Sequence, residues 1–208
     1  MAAQRGKSKI RYVLIGIVIL GLVYVCVSLL EPLRKRSAWS RALGNAKQIQ
    51  LALTDYAIDN DGLFPIAAGD SNSAYRQLFS GQFTDEDLFY VPGSAWHSSL
   101  PSGTEGPDGN IGEAPDYFEA LMQGENHWAY ANGLNNSSNG DLPIVMDGLT
   151  KSDGTYSRDF TKKGGVHGEK PIVIRIDGSG IMVDVSEDGT LKPDVFSETD
   201  PAILYNPW

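Results

Sequence analysis

Cysteine is almost missing from this chain: its 208 residues contain one, Cys26. A single thiol excludes an internal disulfide and any CxxC redox or metal site, both of which need paired sulfurs. Histidine is sparse, with His97, His127 and His167 only, and no HExxH, Walker or GxSxG sequence occurs. Basic residues are scarce after the first quarter. Residues 1–50 hold nine of the 17 Lys and Arg and one of the 26 Asp and Glu, leaving eight bases against 25 acids in the remainder. Such a domain lacks the basic face that a phosphate backbone requires, which argues against nucleic acid as a partner. No repeat of solenoid length is visible.

What is present begins with an uncharged apolar run, YVLIGIVILGLVYVCVSLL, from Tyr12 to Leu30. At about 1.5 Å per residue it gives roughly 28 Å of helix, about one hydrocarbon core. The Ser28–Pro32 stretch makes a poor cleavage site, so the run reads as an uncleaved anchor rather than a signal peptide. Basic residues flank it on both sides: Arg5, Lys7, Lys9 and Arg11 before it, Arg34, Lys35, Arg36 and Arg41 after it. The short N-terminal segment and the acidic bulk beyond favour a cytoplasmic N-terminus. The expected organisation is a basic leader over 1–11, a transmembrane helix over 12–30, an amphipathic continuation over 31–60 bent near Pro32, and an acidic globular domain over 61–208.

Beyond the run, Trp39, Ala42, Ala46, Ile49, Leu53 and Tyr56 recur at intervals of three and four, which places them on one helical stripe. Arg41, Lys47, Gln48, Gln50 and Asp55 fall off it. The stripe has two readings: the face that covers a sheet, and, at its Trp39–Ala42 end, a contact with a neighbouring subunit. Asn60-Asp61-Gly62 stops the helix and Pro65 seals the stop. Ser73–Phe79 and Pro115–Met122 read as short helices, and Thr84–Asp87 reads as a cap. Residues 92–115, with five glycines and four prolines, are loop-like, of a length that suits a binding loop or a mobile surface. Strands are expected over His127–Ala131 and Leu142–Met146. A hairpin is expected from Pro171–Ile176 and Ile181–Val185 about the Asp177-Gly178-Ser179-Gly180 turn. The apolar tail residues Ile203, Leu204, Tyr205 and Trp208 are expected to pack on the domain.

A membrane helix that continues into an amphipathic helix, then NAKQIQLALTDYAIDNDGLFP, then an antiparallel sheet, resembles the type IV pilin and type II secretion pseudopilin superfamily. The nearest likeness is to prepilin-like proteins of Planctomycetes and Verrucomicrobia, which often read N-x-[KR]-Q-I-x-x-A-x-x-x-Y and then an acid and [FY]-P. The matching residues are Asn45, Lys47, Gln48, Ile49, Ala52, Tyr56, Asp59, Phe64 and Pro65. The late Asp177-Gly178-Ser179 turn and the preceding Lys162–Gly168 stretch also resemble that group. The likeness covers both ends of the chain and leaves about 66–160 without an anchor. One departure is clear. The family's leader has a Gly before the cut and a Glu five residues into the mature chain. With Gly6 and Lys7 taken as the cut site, Arg11 stands where that Glu belongs. The resemblance implies a pilin-like subunit, and the departure sets its processing apart.

Two chemical alternatives come from the residues. The three histidines with Asp147 have the donor types for zinc, but no spacing unites them. Asp177 and Asp184 have the oxygens for calcium, which some pseudopilins bind near their C-terminal loop, yet the hairpin turn alone explains Asp177. The combined expectation is an α+β protein: a long N-terminal transmembrane-plus-amphipathic helix packed on a C-terminal antiparallel sheet, without enzymatic activity or a required cofactor. It is expected to be a single-pass protein of the inner (cytoplasmic) membrane with its C-terminal domain periplasmic or extracellular. It would serve as a structural subunit of a type II secretion or type IV pilus-like apparatus, with the membrane and other pilin-like subunits as partners. The alternative is a membrane-anchored envelope binding domain or metal-dependent enzyme that uses the 92–115 loop and the histidines.

Overall fold

The computed structural model describes residues 2–91, 94, 107–122, 124–149, 155–158, 164–166, 170–190 and 202–204. Helix α1 spans Ala2–Asp59, with Pro32 inside it. The chain divides into two compact units, Met1–Ala38 and Trp39–Trp208. The part of α1 from Trp39 to Asp59 lies in the second of these units. Among the described residues, no helix is long and apolar enough to cross a membrane. The described side chains run without a gap from Leu14 to Leu30, inside the longer uncharged sequence run that starts at Tyr12, and the Val13 side chain lies outside the description. Gly6 and Lys7 lie in the helical span, and their side chains are outside the described ones.

The stop at Asn60-Asp61-Gly62 forms as expected. Asp61 and Gly62 take positive φ (53° and 83°), and the Gly62 N–H donates to Ala57 O across 2.8 Å. This closes the last turn in the manner of a Schellman cap. A short helix α2 follows at Ser71–Tyr75, started by Asp70, whose side chain accepts from the Ser73 N–H. A 3-10 turn, Arg76–Ser80, extends it. No helix forms over 115–122. Tyr117 and Leu121 sit at positive φ (48° and 54°), which α-helical propagation does not permit.

Five strands make one antiparallel sheet: β1 Trp128–Asn132, β2 Pro143–Asp147, β3 Ile172–Arg175, β4 Gly180–Met182 and β5 Ala202–Leu204. Their spatial order is β4-β3-β2-β1-β5. The β3–β4 hairpin pairs Val173 with Ile181, with Asp177 and Gly178 in its turn. The tail supplies β5, which pairs Ile203 with Ala131 at the β1 edge, while Tyr205 and Trp208 lie outside the described residues. The fold class is thus α+β with an antiparallel sheet.

The helical stripe is core. Ala42, Ala46, Ile49 and Leu53 are buried, and Trp39 and Tyr56 pack partly buried against the same cluster. Ala42 is 1 % exposed. Gln50, expected off the stripe, is also buried, because its amide donates to Ile176 O at 2.8 Å. A helix lying on a sheet buries the polar residue at the edge of its stripe when a turn carbonyl is there to receive it. Close approach is set by Gly180: a Cβ there would stand 2.9 Å from Leu43 Cδ1 and 3.1 Å from Lys47 Cε.

Candidate functional site

Two groups of ionisable side chains, all but one of them buried, lie around the start of β1. The first joins His127, the residue before that strand, to Asp147, the last residue of β2. Register explains the meeting, since Trp128 pairs with Asp147 across the ladder. His127 Nε2 lies 2.6 Å from Asp147 Oδ1, and Asp147 Oδ2 accepts the Ile172 N–H at 2.7 Å. The Tyr156 hydroxyl donates to the Asp147 carbonyl at 3.1 Å, and burial holds its phenol well above the usual range. Both members of the pair are sealed from solvent. One carboxylate therefore bridges the ends of β1, β2 and β3, and a bridge sealed in this way presents no face to a substrate.

The second group has no motif in the sequence. Glu86 comes from the 84–91 segment, Asp108 from the 107–112 turn, and Glu125 from the segment just before β1. One carboxylate oxygen of each lies within 4.8 Å of the others. Glu86 and Glu125 are buried and Asp108 is exposed. Aromatic packing fixes the first segment: Phe89 packs against Tyr75 (5.1 Å between centroids) and meets Phe83 edge-on (5.4 Å). The His127 N–H donates to Phe89 O, and the Trp128 indole donates to Leu88 O. A buried polar network of Ser71, Asn72 and Asn126 ties α2 to the segment that carries Glu125.

Backbone amides orient the two glutamates. The Leu121 N–H donates to Glu86 Oε1, the Met122 N–H to Glu125 Oε2, and the Asp108 N–H to Glu125 Oε1. Burial raises the Glu86 pKa from 4.5 to about 8, helped by the charges of Glu125 and Asp108 and opposed by the Leu121 amide. Burial raises Glu125 as well, against the pull of the amides of Asp108 and Met122. Two such carboxyls side by side hold a proton between them or share a cation. The three residues offer oxygen donors only, which suits a hard cation such as calcium or magnesium. By sequence Glu86 belongs to a cap, and the structure buries it. The one local signal is its position two residues before the apolar run Leu88–Val91.

The metal-ligand candidates that the sequence suggests fall elsewhere. Asp177 is exposed and accepts the Ser179 N–H at 2.8 Å, and the Ser179 side chain, then this amide, lower its pKa. Asp184 is exposed and pairs with Lys170 at 2.7 Å. Among the described residues, the group of three metal-type donors is Glu86, Asp108 and Glu125, and neither hairpin aspartate joins it. Of the three histidines, His127 alone is described, and it does meet Asp147. His97 and His167 lie outside the described residues, as does most of the 92–115 loop. No protein-family model matches this chain, and no curated protein or solved structure is significantly similar to it.

Proposed function

We propose that this chain is a pilin-like structural subunit held in the inner membrane by Tyr12–Leu30, with its acidic α+β unit on the far side. The observation that carries this reading is the exposure of the apolar run. Every described residue from Ile17 to Leu30 is exposed, and the sequence from Tyr12 to Leu30 holds no charge. A contiguous apolar surface of this length is far beyond what a soluble monomer leaves in water, so it is covered by lipid, by neighbouring helices, or by both. The continuation of α1 into the core of the C-terminal unit, and the motif residues Ile49, Ala52 and Phe64 in that core, support the pilin-like form. The stripe from Ala42 to Leu53 is used internally. The apolar side chains α1 leaves outward in this unit are Leu51 and Ile58, and these replace Ala42 as the lateral contact.

Expression of the full chain followed by alkaline carbonate extraction tests the anchor. The chain is expected to stay with the membrane and to be released only by detergent, and deletion of Tyr12–Leu30 is expected to free it. Cys26, alone in the run, reports lateral packing, since mild oxidation in the membrane should give a covalent dimer that Cys26→Ser abolishes. Release by carbonate would overturn the anchor. Retention without any cross-link would overturn lateral packing and leave a single-chain anchor for the acidic domain.

A further inference from the structure

Clusters of acids are common on acidic proteins, and three neighbouring carboxylates alone identify nothing. The cluster of Glu86, Asp108 and Glu125 differs in one respect. Glu86 is fully buried, with a relative exposure of 0 %, yet its Oε2 meets no hydrogen-bond donor. The other buried carboxylates show how this protein normally treats such oxygens. Asp147 is answered on both, by His127 and the Ile172 amide. Glu125 is answered on both, by the Asp108 and Met122 amides. On Glu86 a backbone amide answers Oε1 alone, that of Leu121, and the Glu125 carboxyl is its other neighbour. A buried carboxylate oxygen left without a donor is costly, and such an atom marks a missing proton or a missing ion.

Among the described residues, no basic side chain supplies the charge. Arg76 reaches this segment, but it gives its hydrogens to the carbonyl oxygens of Ala120 and Leu121. Among the described residues, none of the three acids forms an ion pair with Lys, Arg or His. The backbone amides on Glu86 and Glu125 hold these carboxylates in place in the way that outer partners orient metal ligands. We propose that Glu86, Asp108 and Glu125 form a calcium site that pins the 84–91, 107–112 and 124–126 segments to one point beside β1.

Calcium suits the donors better than its competitors. The set has neither nitrogen nor sulfur, which disfavours zinc and copper. All three ligands come from irregular chain, with Asp108 at the surface where water and loop carbonyls complete a shell of six to eight oxygens. Magnesium demands a stricter octahedron and keeps most of its water. The ion would take up carboxyl oxygens that no basic side chain among the described residues pairs with. It would also tie together loops that otherwise depend on aromatic packing. This inference stands apart from the membrane reading and holds whether or not the chain assembles.

The test uses the full chain in detergent, stripped with chelator and titrated with calcium chloride by calorimetry, with thermal melting alongside. One equivalent of calcium per chain is expected, with a higher melting temperature that chelator reverses. Glu86→Gln and Glu125→Gln should each weaken binding by roughly a hundredfold, and Asp177→Asn should leave it unchanged. The Gln variants imitate the protonated acids, so near-ultraviolet circular dichroism is expected to show them folded. Should either fail to fold, the stoichiometry and the melting shift of the unaltered chain decide the matter. No saturable binding, binding unaffected by Glu86→Gln, or equal loss in Asp177→Asn would overturn the site. Magnesium binding as tightly as calcium would overturn calcium as the occupant.

Discussion

Replacing Asp147 with alanine is the sharpest test of how the sheet is held. In the native chain its side chain accepts from Ile172 N at 2.7 Å and lies 2.6 Å from His127 Nε2, with all three residues buried. Alanine removes both acceptors and leaves the β3 amide and the imidazole facing a small void. Each buried donor that loses its acceptor costs about 1–3 kcal/mol, so the two together come to roughly 3–5 kcal/mol. For a compact unit the size of Trp39–Trp208, each kcal/mol moves the midpoint by about 2–4 °C, so Asp147→Ala should lower it by about 6–20 °C. The assay is thermal unfolding of the full chain in detergent, followed by near-ultraviolet circular dichroism, where Trp128 beside His127 reports directly. Asp147→Asn keeps one acceptor and should lose roughly half as much. In a double-mutant cycle, His127→Ala and Asp147→Ala should couple by about 0.5–3 kcal/mol. A loss below about 1 kcal/mol for Asp147→Ala, or strict additivity with His127→Ala, would refute the claim that this carboxylate joins three strand ends.

Two further outcomes are expected. In chelator, stability should fall as pH rises: the folded pKa of Glu86 (about 8) lies above its unfolded value near 4.5, so the protonated form supports the fold at the acid end and that support is lost between about pH 4.5 and 8. Glu125 acts in the same direction. Glu86→Gln should flatten the profile, and a midpoint that climbs from pH 5 to 8 because of Glu86 would contradict its burial. On α1, Ile49→Ala should cost about 2–5 kcal/mol because Ile49 is wholly buried, whereas Leu51→Ser, two residues on and exposed, should stay within about 0.5 kcal/mol. Equal losses in urea unfolding would mean that the stripe is misplaced on the helix.

Much of the framework could be read from residue order alone, because it depends on neighbours. The three-and-four spacing of Ala42, Ala46, Ile49 and Leu53 names both a helix and its inward face, since 3.6 residues per turn leaves no other way to gather them. Asn60-Asp61-Gly62 names the stop because positive φ is cheap there. β-branched runs on either side of Asp177-Gly178 name the hairpin. Local signals failed where local geometry was overruled. The turn at Tyr117 and Leu121 reads as helix by composition, and its residues adopt positive φ within a segment whose amides are committed to Glu86 and Glu125.

What only the tertiary structure decided are the meetings of distant residues. His127 and Asp147 stand 20 positions apart, and the antiparallel register of β1 and β2 brings them together. Glu86 and Glu125 are both ordinary acids in an acidic sequence. They become neighbouring carboxyls in the core because the aromatic packing around Phe89 carries the 84–91 segment inward to the foot of β1. Gln50 is polar by type and buried by circumstance, since the carbonyl that receives it belongs to a hairpin far along the chain. Periodicity tells a residue which way it faces, and only the packed chain tells it what it faces.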